Sequence, residues 1–158
     1  MGHAGGMDRS TPSTDPLALE SQICFALSVA SRGVIAAYRP VLEPLKLTHP
    51  QYLVMLALWQ HAPLSIKDLA ALLHMESATL SPLTKRLQTL GYIHRGRDPE
   101  DDRALAIDLT DTGRELRRQA EAVPVQMMER LQMDKSELQE LHRLMTLLMD
   151  RVHPRPVD

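Results

Sequence analysis

Aromatic residues are scarce in this chain: one Phe, one Trp and three Tyr among 158 residues. The core has to be built instead from Leu, Ala, Met and Val, which together favour helices over strands. Cysteine occurs once, as Cys24. That excludes an intrachain disulfide and a multi-cysteine zinc site, while a disulfide to a second chain or to a small thiol stays open. No apolar run reaches the roughly eighteen residues that a membrane-spanning helix needs. The N-terminal stretch lacks a basic start followed by an apolar segment, so it does not read as a secretory leader, and a cytoplasmic protein is expected. Neither sign of charge dominates: 18 Lys and Arg stand against 20 Asp and Glu. Any nucleic-acid binding must therefore rest on a local basic patch. The seven His are His3, His49, His61, His74, His94, His142 and His153, and no two fall at metal-ligand spacing on adjacent helical turns, which disfavours a metal sensor.

The length fits one domain with a substantial core. Residues 1–14 are rich in Gly, Ser, Thr and Pro and are expected to form a mobile tail. Asp15 and Pro16 look like a helix start, and Leu19, Ile23, Leu27, Ala30, Val34 and Ala37 follow steps of three and four up to about Val41, where Pro40 and Pro44 should end the helix. Thr48-His49-Pro50 caps a second helix through Trp59, read as a core anchor, and a short linker with Pro63 follows. Ser65 to Asp68 reads as a capping box with Asp in the third position, opening a helix over 67–73. A break at 74–76 leads to a helix over 77–90, closed by Gly91. Two strands, 92–97 and 104–109, flank the turn-forming Asp98-Pro99-Glu100-Asp101-Asp102. A helix from Thr110 to about Met133, bent at Pro124, and an amphipathic helix over 134–152 complete the chain.

Helix, short turn, helix and two-stranded hairpin in that order make a winged helix-turn-helix, here with apolar helices on both sides. A major groove admits one helix, which must offer short polar and basic side chains to it. The segment 77–90 carries Ser77, Thr79, Ser81 and Thr84 near its start and Lys85 and Arg86 for phosphates. Around the hairpin stand Arg95, Arg97 and Arg103, suited to an adjacent minor groove. Four acids share that loop, and Asp101 is the candidate to orient Arg103 through a charge-assisted pair.

Arg97-Asp98-Pro99-Glu100-Asp101-Asp102-Arg103, followed by Leu109-Thr110-Asp111-Thr112-Gly113, resembles the wing signature of MarR-type transcription regulators. Ser65-Ile66-Lys67-Asp68-Leu69-Ala70 and Leu83-Thr84-Lys85-Arg86-Leu87 extend the resemblance, which covers residues 17–152. It implies a homodimer on a pseudo-palindromic double-stranded DNA operator. It further implies dimerisation helices over 15–47 and 112–152, and a DNA-binding part over 48–111 within a single domain, 15–158.

Cys24 falls on one helical stripe with Ser28, Ser31, Ile35 and Tyr38. Cys24 and Tyr38 are about 21 Å apart along one helix, too far to touch within a chain. An antiparallel dimer mate could bring one to the other. Ile23-Cys24-Phe25-Ala26-Leu27, Ala37-Tyr38-Arg39-Pro40 and the run from Leu47 to Trp59 resemble the organic-hydroperoxide sensing OhrR branch of the family. In that branch an N-terminal-helix cysteine is oxidised, and tyrosines of the partner subunit hydrogen-bond it. The resemblance makes Cys24 the redox sensor, Tyr38 and His49 its supports from the partner, and Ser28 and Tyr52 lesser supports. Ser28 and His49 stand where that branch commonly has Tyr. Both can hydrogen-bond, and a protonated His49 would stabilise a thiolate. The reactants implied are an organic hydroperoxide and a low-molecular-weight thiol, with no resident cofactor. Release by a small aromatic or phenolic ligand is the alternative, and a thiol peroxidase is a more distant one.

Overall fold

The computed structural model describes residues 14–97 and 105–153. Most of the expected tail and the acidic turn of the hairpin, with Asp101 and Arg103, lie outside the described residues. The chain forms two compact units, one ending at Ala36 and the other beginning at Ala37.

In the first unit the Asp15 carboxylate caps a turn, accepting from the backbone N–H of Leu17 at 2.9 Å. A single 3-10 turn, Leu19–Ser21, precedes α1, Ile23–Leu42, whose residues from Ala37 onward belong to the second unit. The helix thus starts at Ile23 rather than at Asp15, because the carboxylate serves the turn instead of a helical N–H. Pro40 lies inside α1 and does not end it. One missing N–H near a helix end is outweighed where the next two residues, Val41 and Leu42, are buried.

In the second unit α2, His49–His61, opens with a complete capping box. Thr48 N donates to Gln51 Oε1 at 3.0 Å, and Gln51 N to Thr48 Oγ1 at 3.4 Å. After the cis Ala62–Pro63 peptide comes β1, Leu64–Ser65, a strand too short to leave any periodic signal. Ser65 caps α3, Ile66–Leu73, by accepting from Asp68 N at 3.0 Å. His74, in the left-handed region at φ 51°, turns the chain into α4, Ser77–Thr89. Gly91 at φ 79° ends that segment, where a side chain would be strained.

Strands β2, Ile93–Arg97, and β3, Leu105–Leu109, pair antiparallel with Ile93 opposite Leu109 and Arg97 opposite Leu105. β1 pairs with the other edge of β3, giving the order β1-β3-β2. The expected inward face of Leu105, Ile107 and Leu109 holds for the last two only. Leu105 is exposed, because its partner Arg97 is the last residue of β2 and lies beyond the core.

Thr110 caps α5, Asp111–Ala120, and α6 follows as Val123–Leu131. The sequence pattern predicts one helix bent at Pro124; instead the chain breaks before the proline, which sits in the first turn of α6, where no N–H is needed. α7, Lys135–Val152, begins with a second capping box, Asp134 with Glu137. One core joins α2, α3, α4 and the sheet through Leu42, Val54, Met55, Leu58, Leu69, Leu80, Leu87, Ile93 and Ile107. The architecture is mainly helical with a small sheet, a winged helix-turn-helix flanked by further helices.

α5 crosses the start of β2 at close range. Gly113 is buried, and a Cβ there would meet the Tyr92 carbonyl oxygen at 2.0 Å. Its own carbonyl accepts from Trp59 Nε1 at 2.9 Å, so Trp59 is a half-buried anchor tying α2 to α5. Thr110 N donates to Tyr92 O at 3.1 Å, and the Tyr92 hydroxyl donates to Leu45 O at 2.9 Å.

Candidate nucleic-acid interface and thiol

The core face of α4 is set by Leu80, Thr84 and Leu87, all fully buried. Ser77, Thr79, Ser81, Lys85 and Arg86 of the same helix are all exposed. The sequence places Thr84 among the groove-facing hydroxyls, and burial corrects that. Its hydroxyl donates to Ser81 O at 3.0 Å and accepts from Arg95 Nη2 on β2. His94, Arg95 and Arg97 are exposed on β2. Lys85 and Arg86 on α4 and Arg95 and Arg97 on β2 are thus exposed cations on a chain of net charge −2.

In the first unit Cys24 is exposed, as is Ser28. Since α1 starts at Ile23, the thiol lies in the first turn rather than well inside the helix. The unpaired N–H groups of that turn carry the partial positive charge of the helix.

In the second unit Tyr38, His49, Tyr52 and Trp59 form a chain of ring contacts. Centroids are 5.2 Å apart for Tyr38 and His49, 5.8 Å for Tyr38 and Tyr52, and 6.5 Å for Tyr52 and Trp59. Sequence spacing hid this cluster, because its members come from two helices. Burial raises the Tyr38 phenol above its ordinary value, and burial, then the neighbouring Tyr38, raises Tyr52. Burial lowers His49. Near neutral pH all three are uncharged, so the cluster offers hydrogen bonds and not a cation. A protonated His49 is disfavoured.

Beside this cluster, Tyr52, Leu56, Trp59, Arg117, Ala120 and Pro124 line an open cavity of about 540 Å³. Among the described residues no group of three or more His, Cys, Asp or Glu could hold a metal ion, and no helix is long and apolar enough to cross a membrane.

A helix-turn-helix carrying exposed hydroxyls and cations, with a basic β-hairpin beside it, defines the winged-helix class of transcription regulators. Within that class the chain belongs to the MarR family, whose model matches residues 47–105. It is 35% identical over 141 residues to the organic hydroperoxide resistance transcriptional regulator of Bacillus subtilis (strain 168), covering 89% of this chain and 96% of that protein. Among solved structures, CouR from Rhodococcus jostii RHA1 bound to p-coumaroyl-CoA is similar, with TM-score 0.77 and 25% identity over 90% of this chain and 99% of CouR. AbfR of Staphylococcus epidermidis is similar in three states. Reduced and bound to DNA, it has TM-score 0.72 and 33% identity over 85% of this chain and 92% of AbfR. Overoxidized and bound to DNA, it has TM-score 0.66 and 30% identity, covering 85% and 94%. With a disulfide formed, it has TM-score 0.60 and 34% identity, covering 85% and 89%.

Proposed function

We propose that this chain is a cytoplasmic, homodimeric repressor that grips a pseudo-palindromic DNA operator and releases it when an organic hydroperoxide oxidises Cys24. The observation that carries the reading is an exposed lone thiol on α1 in a chain similar, over most of its length, to an organic hydroperoxide regulator. Segments 48–111 read DNA, with α4 in the major groove through Ser77, Thr79, Ser81, Lys85 and Arg86. The wing serves the backbone and minor groove through Arg95 and Arg97, with Arg103 a further cation of the same hairpin in sequence. Segments 15–47 and 112–152 pair the two copies. Support for the pairing is apolar surface on those helices: Ile23, Phe25, Val29 and Ile35 on α1, and Leu141, Leu144, Leu147, Met149 and Val152 on α7, are all exposed in the single chain.

The chemistry needs one thiolate. Its sulfur attacks one peroxide oxygen, the O–O bond breaks, and the departing alkoxide takes a proton to leave as an alcohol. Cys24 becomes a sulfenic acid. A low-molecular-weight thiol then condenses with it, losing water and forming a mixed disulfide. Tyr38 and His49 of the partner subunit, backed by Tyr52 and Ser28, donate hydrogen bonds to the sulfur. A mixed disulfide adds bulk within a packed helix pair and shifts the dimer toward the arrangement that does not fit DNA. It is favoured over overoxidation as the releasing form, since AbfR has been solved on DNA in its overoxidized state.

Cys24→Ser should bind an operator selected from random duplexes as the parent does and ignore cumene hydroperoxide. Equal release of parent and variant by the peroxide would remove the sensor role. One observation favours a second reading: CouR, similar in fold, has been solved bound to p-coumaroyl-CoA, and this chain has an open cavity beside Tyr52 and Trp59 with Gln60, Arg117 and Glu121 also on its wall. Release of Cys24→Ser by a phenol without oxidant would favour it.

A further inference from the structure

Apart from the tyrosines, two polar side chains are buried among the described residues, Gln51 and Thr84. Gln51 is accounted for by its capping box. Thr84, at 0% exposure, sits between Leu80 and Leu87 on the core face of α4, where Val would fill the same space without a hydroxyl to satisfy. Its hydroxyl has two partners: its proton goes to Ser81 O in the same helix, and its oxygen accepts from Arg95 Nη2 in β2. Arg95 is opposite Ile107 in the middle of the hairpin pairing, and its residue as a whole stays exposed.

We infer that Thr84 is a positioning residue that fixes the Arg95 guanidinium against the recognition helix, so that α4 and the wing meet the DNA backbone as one rigid surface. The inference rests on the DNA-binding reading above. Guanidinium has five N–H donors in a planar fork, and one bond to Thr84 leaves four to point elsewhere. An arginine on a free stem loses rotamer freedom when a phosphate captures it, whereas one already tied to the helix has lost it on folding. Ordering one such side chain in advance gains about fivefold in affinity for each module. Two modules on one duplex gain about 25-fold. The tie also fixes the spacing between the groove reader and the wing, adding a side-chain link to those that backbone and core supply.

The test compares Thr84→Val, Thr84→Ser, Arg95→Gln and the Thr84→Val/Arg95→Gln double variant in the full chain. The probe is a fluorescein-labelled duplex of mixed sequence, titrated across a salt series. Val keeps the branched shape and Ser keeps the hydroxyl. Thr84→Val should weaken binding about 25-fold with an unchanged salt slope, because the cation is still there. Thr84→Ser should stay near the parent. Arg95→Gln should weaken binding and flatten the slope by about one unit for each phosphate no longer neutralised, and adding Thr84→Val to it should do nothing more. In the DNA-free protein, NMR relaxation of the Arg95 Nε–H should show a more mobile side chain in Thr84→Val and not in Thr84→Ser. Thr84→Val weakening binding as much in the Arg95→Gln background as alone would overturn the inference, and so would an Arg95 equally ordered in Thr84→Val. A parent chain with no salt-dependent duplex binding would overturn the DNA reading and this assignment with it. The DNA-free spectra tell the two failures apart.

Discussion

Substituting Gly113 by Ala sets helix propensity against packing, and the two forecast opposite signs. Gly113 is the third residue of α5, and Ala is the better helix former there by about 1 kcal/mol. The added Cβ, however, would lie 2.0 Å from the Tyr92 carbonyl oxygen. Reaching even a tight contact of about 3.0 Å requires the two backbones to part by about 1 Å. Such a shift would stretch the bond from Trp59 Nε1 to Gly113 O, now 2.9 Å, and that from Thr110 N to Tyr92 O, now 3.1 Å, beyond useful length. It would also disturb the Thr110 cap, whose hydroxyl accepts from Gly113 N at 3.0 Å. Two hydrogen bonds and a cap at about 1 kcal/mol each, less the propensity gain, leave a net loss of about 2 kcal/mol. Thermal unfolding should shift down by about 4–8 °C. Because Tyr92 leads into the wing, duplex binding should weaken as well. A Gly113→Ala protein as stable as the parent, or more stable, would refute the close-approach argument and leave propensity as the ruling term.

Acid stability should report on His49. Burial lowers its folded pKa below the ordinary 6.5, so the unfolded chain binds the proton more readily. The stability that neutral His49 contributes is complete above the unfolded value and is lost as pH falls through it. His49→Gln should therefore lose less stability than the parent between pH 7.5 and pH 5.5 in urea titrations, and equal losses would refute the shift. Leu144, 44% exposed on α7, should be covered in the dimer. Leu144→Asp should elute as a single chain in light-scattering chromatography and lose operator binding, and an intact dimer would argue against α7 as the seam. The Cys24→Ser and Thr84→Val experiments test the trigger and the grip separately.

The sensor reading changes in physical character once the fold is known. A thiol deep in α1 would rely wholly on donors from elsewhere, whereas Cys24 sits in the first turn beside the positive end of the helix. His49 moves the other way. Its imidazole suits a cation on paper, but its burial against Tyr38 makes it a neutral donor.

Local chemistry was legible in the residues themselves. Caps at Thr48 and Ser65, the helix starts at Thr110 and Asp134, the left-handed Gly91, the two strands of the hairpin and the helical stripes each depend on neighbours within a few positions. From these the winged helix-turn-helix and its family could be read, together with the outward Ser77, Ser81, Lys85 and Arg86. Contacts between distant segments were not. Whether Pro40 ends α1 depends on how deeply Val41 and Leu42 are buried, and β1 exists because β3 had an open edge for Leu64 and Ser65. The Tyr38, His49 and Tyr52 rings meet only when the end of α1 packs on α2. Thr84 reads as a groove-facing hydroxyl until the core claims its face of α4 and Arg95 reaches it from the wing. Periodicity along a chain says which face is apolar, but the partner that a polar group meets on that face is a property of the packed whole.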